Sequence, residues 1–389
     1  MSELFKGGEI VIHERNFTIT KGGIASVVSF GAIDYLQGLL SSANLAHPLL
    51  LLDSHILHLL QKGLPFTPAL IDFNEQSEKV ENEIETLLSK KKVDSLIIIC
   101  NQNGIDYAKI ALYNFTKKIK HPHIPLIVIP TSYTAVNSAS DEVFFYNRDS
   151  HTITHYSDPL LQPHMIIIDE RVVSNSSAKE KALSVVAIIG GLIDALHHTP
   201  YASSEYFMAL EGLSLCKEYG YQAAHSPHDS ESRQKILFAS YLLSLVRLQK
   251  KGGILEAMVD ILHKVSGVSY PLLMNILLPS MLDVVLKGNK ECFDAIATHF
   301  NSSSFIETIQ TLTNPILESV APQIPHRLYD IIDNDSNRHL VTLSDIEEAS
   351  RLVFHHGHIS IHPSIIDEQD IIRYFEAAFW GYSLPKEWV

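Results

Sequence analysis

Residues Ile97-Ile98-Ile99-Cys100-Asn101-Gln102-Asn103-Gly104-Ile105-Asp106-Tyr107-Ala108-Lys109-Ile110 form an apolar run, a short polar turn and the start of an amphipathic segment. An unbroken apolar strand is one buried on both faces, and a helix directly after it is the repeating unit of parallel sheets. The same layout commonly serves a phosphate group. A helix N-terminus presents unpaired amide hydrogens and the positive end of a dipole. Glycines usually precede such a helix, so that the backbone reaches the ligand without Cβ atoms in the way. Here one glycine, Gly104, comes late, and Cys100, Asn101, Gln102 and Asn103 stand before it. Asn tolerates the left-handed conformation, so the turn itself survives their presence.

Working outward, similar apolar runs recur as PLLLLD (48–53), PLIVIP (125–130) and HMIIID (164–169), with GGIASVVSF (22–30) and PFTPALIDF (65–73) as further strands. Helical spacing fills the gaps, in AIDYLQGLLSSA, SHILHLLQKG and EKVENEIETLLSKKK, and residues 141–155 read as a hairpin or long loop. Apolar strands alternating with helices predict a doubly wound, mostly parallel α/β domain over residues 1–177. From residue 178 long apolar-periodic helices dominate, among them KEKALSVVAIIGGLIDALHH and ESRQKILFASYLLSLVRLQKK. An all-α domain over 178–389 follows.

Composition narrows the partners. Hydrophobic residues make up 46% of 389, enough for sizeable cores, and the net charge of −14 argues against nucleic acid or an anionic membrane surface. Three scattered cysteines, Cys100, Cys216 and Cys292, form no disulfide framework or C-x-x-C pair. With no visible signal peptide or transmembrane run, a cytoplasmic protein is the expectation.

The order of these features resembles the iron-containing alcohol dehydrogenase family, of the dehydroquinate synthase-like superfamily, along nearly the whole chain. Val28-Ser29-Phe30-Gly31 resembles its early strand and FG turn, and Leu50–Asp53 its second strand ending in an acid. Leu96 to Lys109 resembles the strand, Gly-Gly-Gly-Ser-x-x-Asp-x-x-Lys loop and helix. Pro130-Thr131-Ser132 resembles the PTT turn, GGLIDALHH the metal helix, Asn275–Pro279 the end of the second metal helix, and EQDIIRYFEAAFW the closing helix.

The resemblance implies an NAD(P)-dependent, metal-dependent alcohol or aldehyde oxidoreductase acting on a small-molecule substrate, with a homodimer as a possible assembly. Aligned on Asp106 and Lys109, the three glycines become Cys100, Asn101 and Gln102, and the serine becomes Asn103. The implied cofactor-binding set is Asp53, Asn101, Gln102, Asn103, Gly104, Asp106, Thr131, Ser132 and Thr134. Asp53 is suited to ribose hydroxyls and so to NAD, and equally to capping the helix after it; Thr131, Ser132 and Thr134 read equally as turn hydroxyls. The implied metal set is Asp194 and His198, four apart on one helix face, with Glu256 and Tyr270 where the family has two histidines. A further family histidine falls on Asp260. The implied ion is Fe, Zn or Mn; Asp, His and Glu make a hard, anionic site that suits Mn²⁺ or Mg²⁺ better than Zn²⁺, whereas tyrosine is a poor ligand near neutral pH. Pro200 predicts an early end to the helix that carries Asp194. His197 and His263 are the candidate proton relays. The tract FHHGHISIH (354–362) reads as solvated loop histidines, as do His225 and His228. Two alternatives stand beside the dehydrogenase: an inactive descendant acting as a binding or interaction protein, and a dehydroquinate synthase-like cyclase or lyase, whose Gly-Lys-Thr and Gly-His-Thr motifs have no counterpart here.

Overall fold

The computed structural model describes residues 17–21, 24–28, 31–54, 66–73, 77–90, 92–119, 124–135, 140–173, 176–197, 199–226, 228–249, 253–286, 289–333, 335–356 and 367–381. The chain divides into two compact units, residues 1–145 with 156–176, and residues 146–155 with 177–389.

The first unit is built on a seven-stranded sheet. In chain order its strands are β1 (Phe17–Lys21), β2 (Ile24–Val28), β3 (Pro48–Asp53), β4 (Ala69–Ile71), β5 (Ser95–Cys100), β6 (Leu126–Pro130) and β9 (Met165–Ile168). Their spatial order is β1-β2-β9-β6-β5-β3-β4. Only β1 runs antiparallel to its neighbour; the other pairings are parallel. The predicted α/β architecture is therefore the observed one. Every residue of β5, β6 and β9 is buried, as unbroken apolar runs require. Helices α1 (Leu36–Ser42), α2 (Ser77–Lys90) and α3 (Gln102–Ile119) belong to this unit. Ile84 and Leu88 of α2 and Ile105, Ala108 and Leu112 of α3 share a core with Leu49, Leu51, Leu96 and Ile98 of the sheet. The helix expected in SHILHLLQKG lies outside the described residues beyond Ser54.

β2 and β9 are tied at their carboxyl ends by a buried acid. Asp169 accepts from the amides of Gly31 (3.4 Å) and Ile33 (3.0 Å), and Arg171 donates to it at 2.7 Å. Gly31 sits at φ +75°, the left-handed region that the FG turn reserves for glycine.

The path of the chain reverses between β3 and β5. From β3 the chain moves outward to β4, then crosses back to β5 and proceeds through β6 to β9. In open α/β sheets, ligands bind outside the carboxyl ends of the strands at such a switch point. Asp53 and Cys100 end the two strands that flank it, and Leu52 pairs with Ile99.

The second unit is helical: α4 (Ala178–Leu196), α5 (Ser204–His225), α6 (Ser230–Gln249), α7 (Ile254–Ser266), α8 (Tyr270–Leu286), α9 (Lys290–His299), α10 (Phe305–Leu317), α11 (Leu343–Val353) and α12 (Glu368–Trp380). α4 is apolar all round and is buried from Lys181 to Leu196, the pattern of a central helix. A capping box starts it, Ser177 and Glu180 exchanging side-chain and backbone bonds. It stops at Leu196, ahead of Pro200 as expected. The ribbon of β7 (Glu142–Asn147) and β8 (Thr152–Ser157) realises the hairpin read in residues 141–155. Its tip groups with the helices because the Tyr146 hydroxyl donates to Glu348 of α11 at 2.5 Å and His151 lies 2.8 Å from the same carboxylate. Among the described residues, no helix is long and apolar enough to cross a membrane.

Candidate functional sites

In the α/β unit, the predicted cofactor residues gather at the carboxyl ends of β3, β5 and β6. Cys100 ends β5 opposite Pro130 of β6. Asn101 follows as the cap of α3, its Oδ1 accepting from the Gly104 amide at 3.1 Å. One turn on, Gln102 Nε2 donates to Asp106 Oδ1 at 2.8 Å. The two amide side chains in place of glycines are therefore bonded to the helix they precede. Gly104 is buried, and a Cβ there would stand 2.6 Å from Cys100 Sγ and 2.8 Å from Phe73 Cγ. Its missing side chain lets the helix lie close on β5 and the segment after β4, the helix–strand role of the last glycine in dinucleotide turns. Asn103 lies in the first turn of α3, partly exposed.

Around this turn the polar groups are committed to the fold. Lys109 is fully buried, and its ammonium donates to the Ser140 carbonyl at 2.7 Å. Burial lowers its pKa to about 8, against the opposing pull of Asp106 and Asp141. Burial, then the charges of Asp53 and Asp106, push the Cys100 thiol well above its usual range, so it is no nucleophile. Asp53 is buried at the end of β3. The Thr131 amide donates to the Cys100 carbonyl at 3.1 Å, and Ser132 Oγ accepts from the Ala135 amide at 3.1 Å with Thr134 Oγ1 3.5 Å away. Ser132 thus supports the turn that follows β6.

In the helical unit, three of the four expected metal-site residues meet; His198 lies outside the described residues. Asp194, on the last turn of α4, points at the start of α7. Its Oδ2 accepts from the amides of Gly253 and Glu256, each at 2.9 Å. A Cβ on Gly253 would collide with this carboxylate, so glycine is required there. Asp194 is a helix cap supplied from another helix, satisfying orphan amides and the dipole of α7. Its carboxyl is nevertheless raised to about 6, because burial outweighs those amides and the charge of Arg247.

The cation in this cluster is a side chain that the sequence reading left unassigned. Arg247, on α6, lies 2.8 Å through Nη2 from Glu256 Oε2, and both side chains are about nine-tenths buried. Arg247 also interacts with the Tyr270 hydroxyl and the Asp194 charge. A charged residue inside the apolar run LLSLVRLQ is the signal that could have found it. Tyr270 stays protonated: burial and Glu256 push its hydroxyl above the usual range. Among the described residues the donor set is two carboxylates and a neutral phenol with a guanidinium already among them, which does not fit a divalent ion. Among the described residues, no three His, Cys, Asp or Glu side chains converge as a metal site.

The two candidate relays lie beside this cluster, the His263 ring edge-on to Tyr270 with centroids 6.4 Å apart. His197 is the C-cap of α4 and is buried. His263 Nδ1 lies 2.6 Å from the Val268 carbonyl. A carbonyl only accepts, so Nδ1 carries the proton. Burial, then the Lys264 charge, lower its pKa, which keeps the ring neutral.

Asp260, where the family has a histidine, pairs with Lys264 at 2.6 Å and faces His356 Nε2 at 3.5 Å. Burial pushes the Asp260 carboxyl up, but Lys264 and His356 hold it well below the carboxylate range. The expectation of solvated histidines in the 354–362 tract fails at His356, which is 2% exposed. The turn after α11 carries it inward onto α7, whereas His355 stays exposed. Residues 357–362 lie outside the described residues. His225, at the end of α5, is half-buried with Nε2 2.8 Å from the Ile316 carbonyl, a tie rather than a solvated ring; His228 is exposed.

A separate open cavity of about 510 Å³ lies within the helical unit, between α8, α10 and the end of α12, with Asn275, Ile309, Gln310 and His326 in its lining. None of the expected site residues lines it.

No family model matches the chain, and no curated protein matches it. Solved structures do match. An alcohol dehydrogenase from Oenococcus oeni is 17% identical with a TM-score of 0.75, over 91% of this chain and 98% of that one. An iron-containing alcohol dehydrogenase from Corynebacterium glutamicum is 17% identical with a TM-score of 0.73, over 90% and 93%. A sulfoacetaldehyde reductase from Bifidobacterium kashiwanohense, solved in complex with NAD+, is 15% identical with a TM-score of 0.71, over 90% and 95%. At these identities the likeness is one of fold, and the fold is that of the iron-containing alcohol dehydrogenases.

Proposed function

We propose that this chain is a derivative of the iron-containing alcohol dehydrogenase fold that works as a binding protein and not as an NAD(P)-dependent oxidoreductase. The observation that supports this reading is the Asn101 side chain on the Gly104 amide. A pyrophosphate at the N-terminus of α3 would compete with that carbonyl for the same N–H. It would also have to pass the Gln102 side chain, which is bonded to Asp106. Losing a cap of this kind costs about 1 kcal/mol, and the side chains that three glycines would lack remain in the way. The Gly104 position gives no room in exchange, since its free space is taken by Phe73 and Cys100.

The test is a titration of the full chain with NAD+, NADH and NADPH, followed by calorimetry and by NADH fluorescence. No saturable binding up to millimolar nucleotide is the expected result. Saturable binding at micromolar NADH, lost on Asp53→Ala, would overturn the proposal and return the chain to the oxidoreductases.

A further inference from the structure

We propose that the Arg247 guanidinium is this protein's built-in replacement for a divalent metal, the fixed positive charge around which Asp194, Glu256 and Tyr270 are arranged. The resemblance places metal ligands at Asp194, His198, Glu256 and Tyr270; His198 lies outside the described residues, and the other three lie on three different helices. The structure brings those three together and adds a fourth helix, α6, whose arginine reaches in among them. Arg247 Nη2 stands 2.8 Å from Glu256 Oε2, with 9% and 13% of the two side chains exposed. α4 makes room for it: a Cβ on Gly191, three residues before Asp194, would lie 2.7 Å from Arg247 Nη2. The guanidinium therefore lies against the backbone of the helix that resembles the family's metal helix.

Charge argues against a second cation. A divalent ion beside the guanidinium would bring three positive charges to two carboxylates. Asp194 Oδ2 is already taken by the amides of Gly253 and Glu256. An arginine is charged at every accessible pH and cannot be chelated away, so the arrangement is permanent where a metal would be exchangeable. This inference is independent of the nucleotide reading, because a chain that binds no dinucleotide can still hold a metal.

The experiment uses the full chain. Wild-type protein purified without chelator is analysed for bound metal, then titrated with Zn²⁺, Mn²⁺ and, under argon, Fe²⁺, with the unfolding midpoint as readout. The expected result is well under one equivalent of metal and no metal-dependent shift. Arg247→Met leaves a buried carboxylate without its cation, so its midpoint falls by roughly 5–10 °C. Glu256→Gln in the Arg247→Met background removes that charge and recovers most of the loss. One equivalent of tightly held metal in the wild type, released by Glu256→Gln, would overturn the proposal. So would a double variant no more stable than Arg247→Met alone. Should Arg247→Met fail to fold, the double variant and the wild-type metal content still decide.

Discussion

The turn after β5 and the cluster around Arg247 meet opposite electrostatic demands in the same way. At the turn, a helix N-terminus offers amide hydrogens and a positive dipole end; in the cluster, two carboxylates sit among helices. A phosphate would serve the first and a metal the second. In this chain the acceptor at the turn is the Asn101 carbonyl, and the cation in the cluster is the Arg247 guanidinium. The difference lies in how well each internal partner balances its site. One amide side chain suits a helix terminus, whereas one guanidinium is shared by two buried acids. The cluster is therefore the more strained of the two regions, and perturbations there have the larger effects.

Gly253→Ala is the sharpest way to break the cluster. Its Cβ meets the Asp194 carboxylate, and the α7 amides that Asp194 caps must move with it. A loss of about 3 kcal/mol is expected, from overpacking together with a lost cap, measured by urea unfolding of the helical unit. The matching change at the turn, Gly104→Ala, presses on Phe73 and Cys100, side chains with some freedom to shift, and should cost about 2 kcal/mol. Equal losses at the two glycines would remove the contrast between the regions.

The imbalance in the cluster also has a pH signature. Asp194 titrates near 6 in the folded chain against 3.8 for a free side chain. Between those values the folded state binds more protons than the unfolded one, so stability falls as pH rises from about 4 to 6. The full penalty, roughly 2–3 kcal/mol, is present above pH 6. His263 and His356, both lowered by burial, act in the opposite direction, since they cost stability as the pH falls below the range of a free imidazole. The measurement is therefore the difference between wild type and Asp194→Asn, which keeps an acceptor for the amides and removes the charge. That difference should grow from near zero at pH 4 to its full size by pH 7, in favour of the variant. A flat difference would show that Arg247 balances Asp194 as well as Glu256.

The sheet, the order of the helices and the position of the turn were legible in the sequence because they rest on local patterns. Apolar runs such as LIIIC and VIP have to be buried strands, and the spacing in SVVAIIGGLIDAL has to be a helix. What each polar residue does was less legible, because it depends on a partner distant in sequence. Asp194 was placed on the correct helix, yet its role as a cap comes from Gly253 and Glu256, which follow two intervening helices. Arg247 went unassigned although it is a charge in an apolar run, because its partner is fixed only by how α6 and α7 pack. His356 was read as solvated because the resemblance puts its tract in a loop between the last two helices; it is buried facing Asp260, nearly a hundred residues earlier.

The smallest expected effect tests the better balanced region. Asn101→Ala removes the acceptor on the Gly104 amide without changing the packing beneath Gly104, and should cost about 1 kcal/mol by chemical unfolding. Asn101→Gly removes the same side chain but leaves a residue that helix N-termini tolerate, so its loss should be only a few tenths. The order of the two reports the role of the side chain. If Asn101 acts as a cap, alanine is worse than glycine and neither variant gains affinity for nucleotide, because Cys100 and Gln102 still crowd the turn. If Asn101 is instead the one obstacle to a phosphate, Asn101→Gly alone yields saturable NADH binding. In that case the turn would be a blocked nucleotide site rather than a self-capped helix, and its likeness to the Arg247 cluster would end there.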